Sequence, residues 1–282
     1  MRGSIRAFGT SDMMWRTPGG AVGLFLTLAL IALALLSNTL APADPFASIA
    51  QPLSPPSRAH AFGTDDLGRD VLIAIIHGAR TSLLVAASVT ALAALIGIGV
   101  GALAGYRVGI VDDVLMRVTD FVLVIPRFFL AVVVIALFGA GIDRLILVLG
   151  LTSWPAIARV VRAQTLSLVR REFVDAARAL GATDTRVLLR YVLPGALPPA
   201  LVVISINAAG VILLEAGLSF IGLGDPSRMS WGYLANNAQQ FLRVAWWVAV
   251  FPGAAIALSV LGLNLLGDAL NDLLDPRAPR PT

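Results

Sequence analysis

Ser82-Leu-Leu-Val-Ala-Ala-Ser-Val-Thr-Ala-Leu-Ala-Ala-Leu-Ile-Gly-Ile-Gly-Val-Gly-Ala-Leu-Ala-Gly105 carries neither a charge nor a proline. A bilayer core of about 30 Å is crossed by roughly 20 apolar residues in helical form, so this run reads as one membrane-spanning helix. Gly97, Gly101 and Gly105 recur at every fourth position and leave a bare stripe on one face. Small residues at that spacing let two helices approach closely, so the stripe reads as a packing face.

Four more runs qualify on either side: about Gly20–Leu40, Val118–Phe138, Pro199–Ser219 and Val244–Leu266. A sixth, about Arg144–Val161, is weaker because it holds Trp154, Pro155 and Arg159. Over the 282 residues, 57% are hydrophobic and 13% charged. Soluble domains sit near half apolar and a quarter charged, so composition agrees with the runs. The expected fold is an all-α membrane protein of six transmembrane helices. The first run competes with a signal peptide, since Arg2, Arg6 and Arg16 precede it and Ala41-Pro42-Ala43 ends it. It exceeds the roughly 7–15 apolar residues of such peptides, so an uncleaved helix is expected.

Arginine sets the orientation. With both termini cytoplasmic, the inside holds Arg2, Arg6, Arg16, Arg107, Arg117, Arg162, Arg170, Arg171, Arg178, Arg186, Arg190, Arg277 and Arg280. The outside holds Arg58, Arg69, Arg80, Arg144, Arg228 and Arg243, a bias that satisfies the positive-inside rule. The Pro-rich stretch Ala41–Thr81 is expected as an irregular external segment. Phe220–Arg243 opens on a turn cluster, with a short surface helix expected over Trp231–Arg243.

What is missing narrows the chemistry. There is no Cys, which removes disulfides and thiolate chemistry. His60 and His77 are too few and too isolated for a metal site, and a solvated or packed imidazole is expected of each. All 21 basic residues are Arg, and a P-loop needs its Lys on the nucleotide phosphates. No ATP site of that kind is expected in this chain. No nucleophile–base set can be assembled for an enzyme either.

Between spans four and five, Leu166–Leu193 is too polar to enter lipid. Helix formers fill Glu172–Leu180, and Gly181 stands where a helix ends in a left-handed residue. A second short helix is expected from Thr183 or Asp184 to Tyr191, stopped by Pro194. Ala176, Ala177 and Gly181 leave one side nearly free of bulk, open to a partner's backbone, with Arg178, Arg186 and Arg190 around it. The competing reading is an amphipathic helix held by anionic headgroups.

Asp175-Ala176-Ala177-x-x-x-Gly181, followed after nine residues by Tyr191-x-Leu193-Pro194, resembles the "EAA" loop of bacterial ABC importer permeases. Asp175 stands for the usual Glu and Tyr191 for the usual Ile. Phe62-Gly63-Thr64-Asp65-Asp66-Leu67-Gly68-Arg69-Asp70, Glu215-Ala-Gly-Leu-Ser219-Phe-Ile-Gly-Leu-Gly224 and Asn264-Leu-Leu-Gly267-Asp268 with Asp275-Pro276-Arg277 resemble further signatures of the DppC/OppC type. The resemblance implies a non-catalytic permease subunit in the bacterial cytoplasmic (inner) membrane. Its implied partners are a homologous second permease, two ATPase subunits that bind ATP and Mg, an extracytoplasmic substrate-binding protein, and membrane lipid. No cofactor is implied in this chain itself. Glu172, Asp175, Ala176, Ala177, Arg178 and Gly181 would couple to the ATPase, and Asp65, Arg69 and Asp70 would contact the binding protein. The glycine stripe is then a candidate face for the sister permease. Di- or oligopeptides are the implied cargo, with nickel chelates or glutathione as alternatives. The organisation implied is residues 1–80 as first helix and external loop, 81–272 as transmembrane domain and 273–282 as cytoplasmic tail. An ion-coupled secondary transporter is the rival, but no inverted repeat or broken-helix pair stands out.

Charge inside a span costs about 2.5–3.5 kcal/mol at a helix centre on insertion scales. Arg127 follows Pro126 in the third span, and Asp120 lies seven residues earlier, about two turns along the same face. Two readings stand: a buried Asp120–Arg127 pair, or Arg127 on a translocation path meeting a peptide's carboxylate or carbonyls. Glu215 reads as part of an external gate or as an attractor of a peptide's amino terminus. Asn207 reads as an interhelical hydrogen-bond former or a path residue.

Overall fold

A computed structural model describes residues 18–274. The terminal arginines of the orientation count (Arg2, Arg6, Arg16, Arg277 and Arg280) and the Asp275-Pro276-Arg277 end of the last signature lie outside the described residues. The regular elements of the described chain are all helical, with residues 41–70 irregular and holding one isolated antiparallel bridge, Thr64 to Asp70. In chain order the helices are α1 (Pro18–Leu35), α2 (Ser37–Leu40), α3 (Val71–Tyr106), α4 (Ile110–Val124), α5 (Arg127–Phe138), α6 (Ile142–Ser153) and α7 (Pro155–Val169). Then follow α8 (Glu172–Ala179), α9 (Asp184–Val187), α10 (Leu193–Phe220), α11 (Trp231–Ala238) and α12 (Trp247–Leu274). Five stretches are long and apolar enough to cross a membrane, and six if the bent pair α4–α5 counts as one. This is a multi-pass membrane protein.

α3 is the spine. It has 36 residues, about 54 Å at 1.5 Å per residue, and so outreaches the hydrocarbon core. It begins at Val71, so Val71–Thr81 forms its first three turns, where the Pro-rich stretch Ala41–Thr81 was expected to be irregular throughout. The reason is the cap: Asp70 Oδ1 accepts from the N–H groups of Leu72 (2.9 Å) and Ile73 (3.2 Å), satisfying donors a helix start leaves free. The glycine stripe packs on α7 of the same chain, which corrects its expected place against a sister subunit. A Cβ at Gly97 would lie 2.8 Å from the Trp154 carbonyl oxygen, and at Gly105 2.7 Å from that of Arg162. A Cβ at Gly101 would meet the Ala158 carbonyl oxygen more tightly still.

The third span is not one helix. α4 ends at Val124, α5 starts at Arg127 after Pro126, and the two axes differ by 75°. A broken-helix pair therefore exists where none was legible in the sequence. A proline ring disfavours the helical conformation in the preceding residue, and Ile125 is extended at ψ 119°. Pro155 does the opposite: at the first turn of α7 its missing N–H costs nothing, so α6 and α7 run on as one stretch from Ile142 to Val169.

Pro194 does not stop the second loop helix, as was expected. α9 passes through a π turn, Leu188–Val192, straight into α10. The Leu193 N–H reaches back five residues to the Leu188 carbonyl, which shifts the ladder so that Pro194 falls in a first turn. α11 is not the surface helix that was expected. Its Trp231, Gly232, Leu234 and Ala238 are buried, and Trp231 and Leu234 share a core cluster with Val71, Ala74, Ile75 and Ala79 of α3.

Candidate functional site

The polar residues fall into three groups along the spans. At the end where α3 begins, Glu215, 4% exposed, lies at the meeting of α3, α10 and α11. Its carboxylate accepts from the Ser82 hydroxyl at 3.1 Å and the Ser219 hydroxyl at 2.9 Å. The Ser82 oxygen in turn accepts from the Trp231 N–H at 3.3 Å, and Trp231 Nε1 donates to the Ile75 carbonyl at 3.0 Å. Full hydrogen bonding is what makes a buried carboxyl tolerable. A small cleft lined by Thr81, Glu215, Ser219, Asp225, Arg228 and Ser230 opens beside this knot.

The signature loop before α3 is tied down from within. Asp65 Oδ1 accepts from the N–H groups of Leu67 (2.9 Å) and Arg69 (2.8 Å). Burial pushes the Asp65 carboxyl above its ordinary value, and those two N–H groups partly offset the rise. Asp70 caps α3 with one oxygen, while the other lies 2.8 Å from His60 Nδ1. Arg69 lies over the Phe46 ring at 5.1 Å and donates to the Tyr233 hydroxyl at 3.3 Å. Asp65 and Asp70 are thus buried and shape the loop, while Leu67 at its tip is exposed. His77 Nε2 meets the Ala41 carbonyl at 2.8 Å, so both imidazoles are packed structural groups.

Mid-span, Asp120 and Arg127 do not pair. Asp120 Oδ1 binds Arg159 Nη2 of α7 at 2.6 Å, and Asp112 binds Arg162 in bidentate fashion at 2.5 and 2.6 Å. Arg159 and Arg162 are three residues apart, so they rise from neighbouring positions on one face of α7 to meet α4. The 75° break turns Arg127 away to Ser153, whose hydroxyl accepts from Nη1 at 3.4 Å. Asn207 of α10 donates to the Ser153 carbonyl at 3.0 Å, an interhelical bond as read from the sequence. Arg127 is half-buried with no carboxylate partner among the described residues.

At the other end α8 and α9 form the loop. α8 closes in a Schellman turn: Ala182 N–H donates to the Ala177 carbonyl, Gly181 N–H to that of Arg178, and Gly181 sits at φ +82°. Val174, Val187 and Val192 make a small buried core, backed by Tyr106, Leu168 and Leu188. Ala177 is buried, correcting its expected place on the open side. The open face instead carries Glu172, Asp175, Ala176, Phe173 at 44% exposed and Leu180 at 90%. Phe173, Ala176 and Leu180 follow i, i+3, i+7 spacing, one stripe of α8. The two large residues went unremarked in the sequence, although that spacing was there to find.

A family model described as "Binding-protein-dependent transport system inner membrane component" matches residues 97–280. The chain belongs to this family. Its members' likeness extends over nearly the whole molecule. The chain is 40% identical over 270 residues to the dipeptide transport system permease protein DppC of Escherichia coli K12, covering 93% of this chain and 90% of that protein. It is 37% identical over 267 residues to the di/tripeptide transport system permease protein DppC of Pseudomonas aeruginosa, covering 92% and 88%. To the glutathione transport system permease protein GsiD of Pectobacterium atrosepticum it is 39% identical over 260 residues, covering 91% and 86%. This permease of the DppC/OppC type is a transport component, as its motifs implied.

Proposed function

We propose that this permease forms, with a homologous second permease, the path by which di- or oligopeptides enter a bacterium across its cytoplasmic membrane. Two separate ATPase subunits bind ATP and Mg and drive the cycle, and an extracytoplasmic binding protein delivers the cargo. The reading takes α4–α5 as one broken span, hence six spans with both termini cytoplasmic and α8 inside. The observation that carries it is the open stripe of α8. Phe173 and Leu180 lie bare beside Glu172 and Asp175 on a loop outside the apolar spans, a surface suited to a groove on another protein. Dipeptide and di/tripeptide permeases among the relatives support the cargo class. The glutathione relative keeps a γ-linked peptide as the alternative.

In this reading the ATPases grip α8 around Asp175–Gly181 and displace it as they close. Glu215 belongs to the external gate, and Asp65, Arg69 and Asp70 shape the surface met by the binding protein. Asp120, Arg127 and Asn207 line the path, where the unpaired guanidinium of Arg127 meets a peptide carboxylate. In proteoliposomes holding the whole importer, uptake of dialanine is expected to require ATPases able to hydrolyse ATP. Arg127→Ala is expected to slow the free acid about tenfold and its C-terminal amide much less, since a charge-assisted bond contributes about 1.5–3 kcal/mol. Uptake that continues with catalytically dead ATPases overturns the importer reading; equal loss for acid and amide removes the role of Arg127.

A further inference from the structure

Tyr106, the last residue of α3, is the one member of that helix in the small valine core of the α8–α9 loop. Its hydroxyl donates to Asp184 Oδ1 at 2.6 Å and accepts from Arg178 Nη2 at 3.5 Å. The Arg178 guanidinium also lies 5.9 Å from the ring centroid. One side chain therefore holds α8 through Arg178 and α9 through Asp184. The bond to Asp184 is short and charge-assisted and carries most of the grip; the contact to Arg178 is at the limit of a hydrogen bond.

Asp184 begins the helical stretch that continues through the π turn into α10. α3 and α10 are thus clasped twice: by Tyr106–Asp184 at the loop and, at the far end, by Ser82–Glu215. Covalent continuity alone lets a displaced loop move α10. α3 is already fastened to α7 by its glycine stripe; Tyr106 fastens its end to α9–α10 as well, and α3 carries the Asp70-capped loop and the α11 anchor at Ile75. We propose that Tyr106 is a positioning residue for transport, a fastening at the loop end that keeps α3 in step with α9–α10 when the coupling loop is displaced. The proposal rests on the reading that ATPases act on α8.

The test uses the assembled importer in proteoliposomes and measures how far its own binding protein, isolated with whatever it carries, stimulates ATP hydrolysis. Tyr106→Phe keeps the ring in the valine core and removes the hydroxyl. Basal hydrolysis is expected to stay as in the parent, while stimulation falls about tenfold, the effect of losing one bond to a charged acceptor. Asp184→Ala should match it, Asp184→Asn should restore most of the stimulation by keeping an acceptor, and the double variant Tyr106→Phe/Asp184→Ala should be no worse than either. Undiminished stimulation in Tyr106→Phe, or losses that multiply in the double variant, would overturn the proposal. A parent complex that the binding protein fails to stimulate would instead sink the importer reading, and this proposal with it.

Discussion

The two ends of this molecule handle polar and apolar groups in opposite ways. At the end where α3 begins, three acids are buried and answered: Asp65 by two backbone N–H groups, Asp70 by the start of α3 and His60, Glu215 by two serines. At the loop end Glu172 and Asp175 stand in the open, and Phe173 and Leu180 are exposed above a core of three valines. A buried polar group left unanswered costs about 1–3 kcal/mol, and these three carboxyls are answered within the chain. Phe173 and Leu180, on a loop outside the apolar spans, have no such closure among the described residues.

The sharpest way to break this contrast is to charge the open stripe. Phe173→Asp with Leu180→Asp is expected to abolish co-purification of the ATPase subunits while leaving the thermal melting of the detergent-purified permease within a few degrees of the parent. A collapse of melting with the ATPases still bound would invert the account of the two ends.

Two glycines at almost the same dihedral sharpen it further. Gly68 in the external loop has φ +74° and Gly181 has φ +82°, both disfavoured for L side chains. A Cβ at Gly68 would press on the Ala50 carbonyl oxygen, whereas one at Gly181 meets nothing within 4 Å. Gly68→Ala is therefore expected to destabilise by about 3 kcal/mol or more, as strain and overpacking add. Gly181→Ala should cost about 1 kcal/mol, from strain alone. Equal melting shifts for the two would show that the external loop yields as readily as the open one.

A smaller effect than at Gly68 is expected in the Glu215 knot. Glu215→Ala leaves the Ser82 and Ser219 hydroxyls without their acceptor and should lower stability by about 2 kcal/mol. Glu215→Gln keeps an acceptor oxygen and should recover about half of that. A glutamine no better than alanine in thermal melting would mean that the charge, rather than the hydrogen bonds, holds the knot.

Much of the site was legible in the sequence because it is set over short distances. Apolar runs long enough to cross a bilayer announce themselves. The end of α8 follows from one glycine, since only a residue at ease at positive φ closes a Schellman turn there. Boundaries were less legible where a cap or a ladder shift decided them: Asp70 drew the start of α3 outward, and a π turn carried α9 past the expected stop at Pro194. The α8 stripe was less legible: Phe173, Ala176 and Leu180 carry its spacing, but in so short a helix the spacing does not say which face is covered, and Ala177 is on the buried one.

By itself the sequence determined the membrane class, the helical spans and the polar loop between two of them, since hydropathy, capping and turn residues act within a few positions. Only the tertiary structure decided which charge answers which. Asp120 lies seven residues from Arg127 yet pairs with Arg159, 39 residues away, and Tyr106 grips Asp184 across 78. Such choices depend on the angle at a proline break and on how closely glycine faces let helices approach. Those are properties of the packed chain, because each partner is fixed by a different helix.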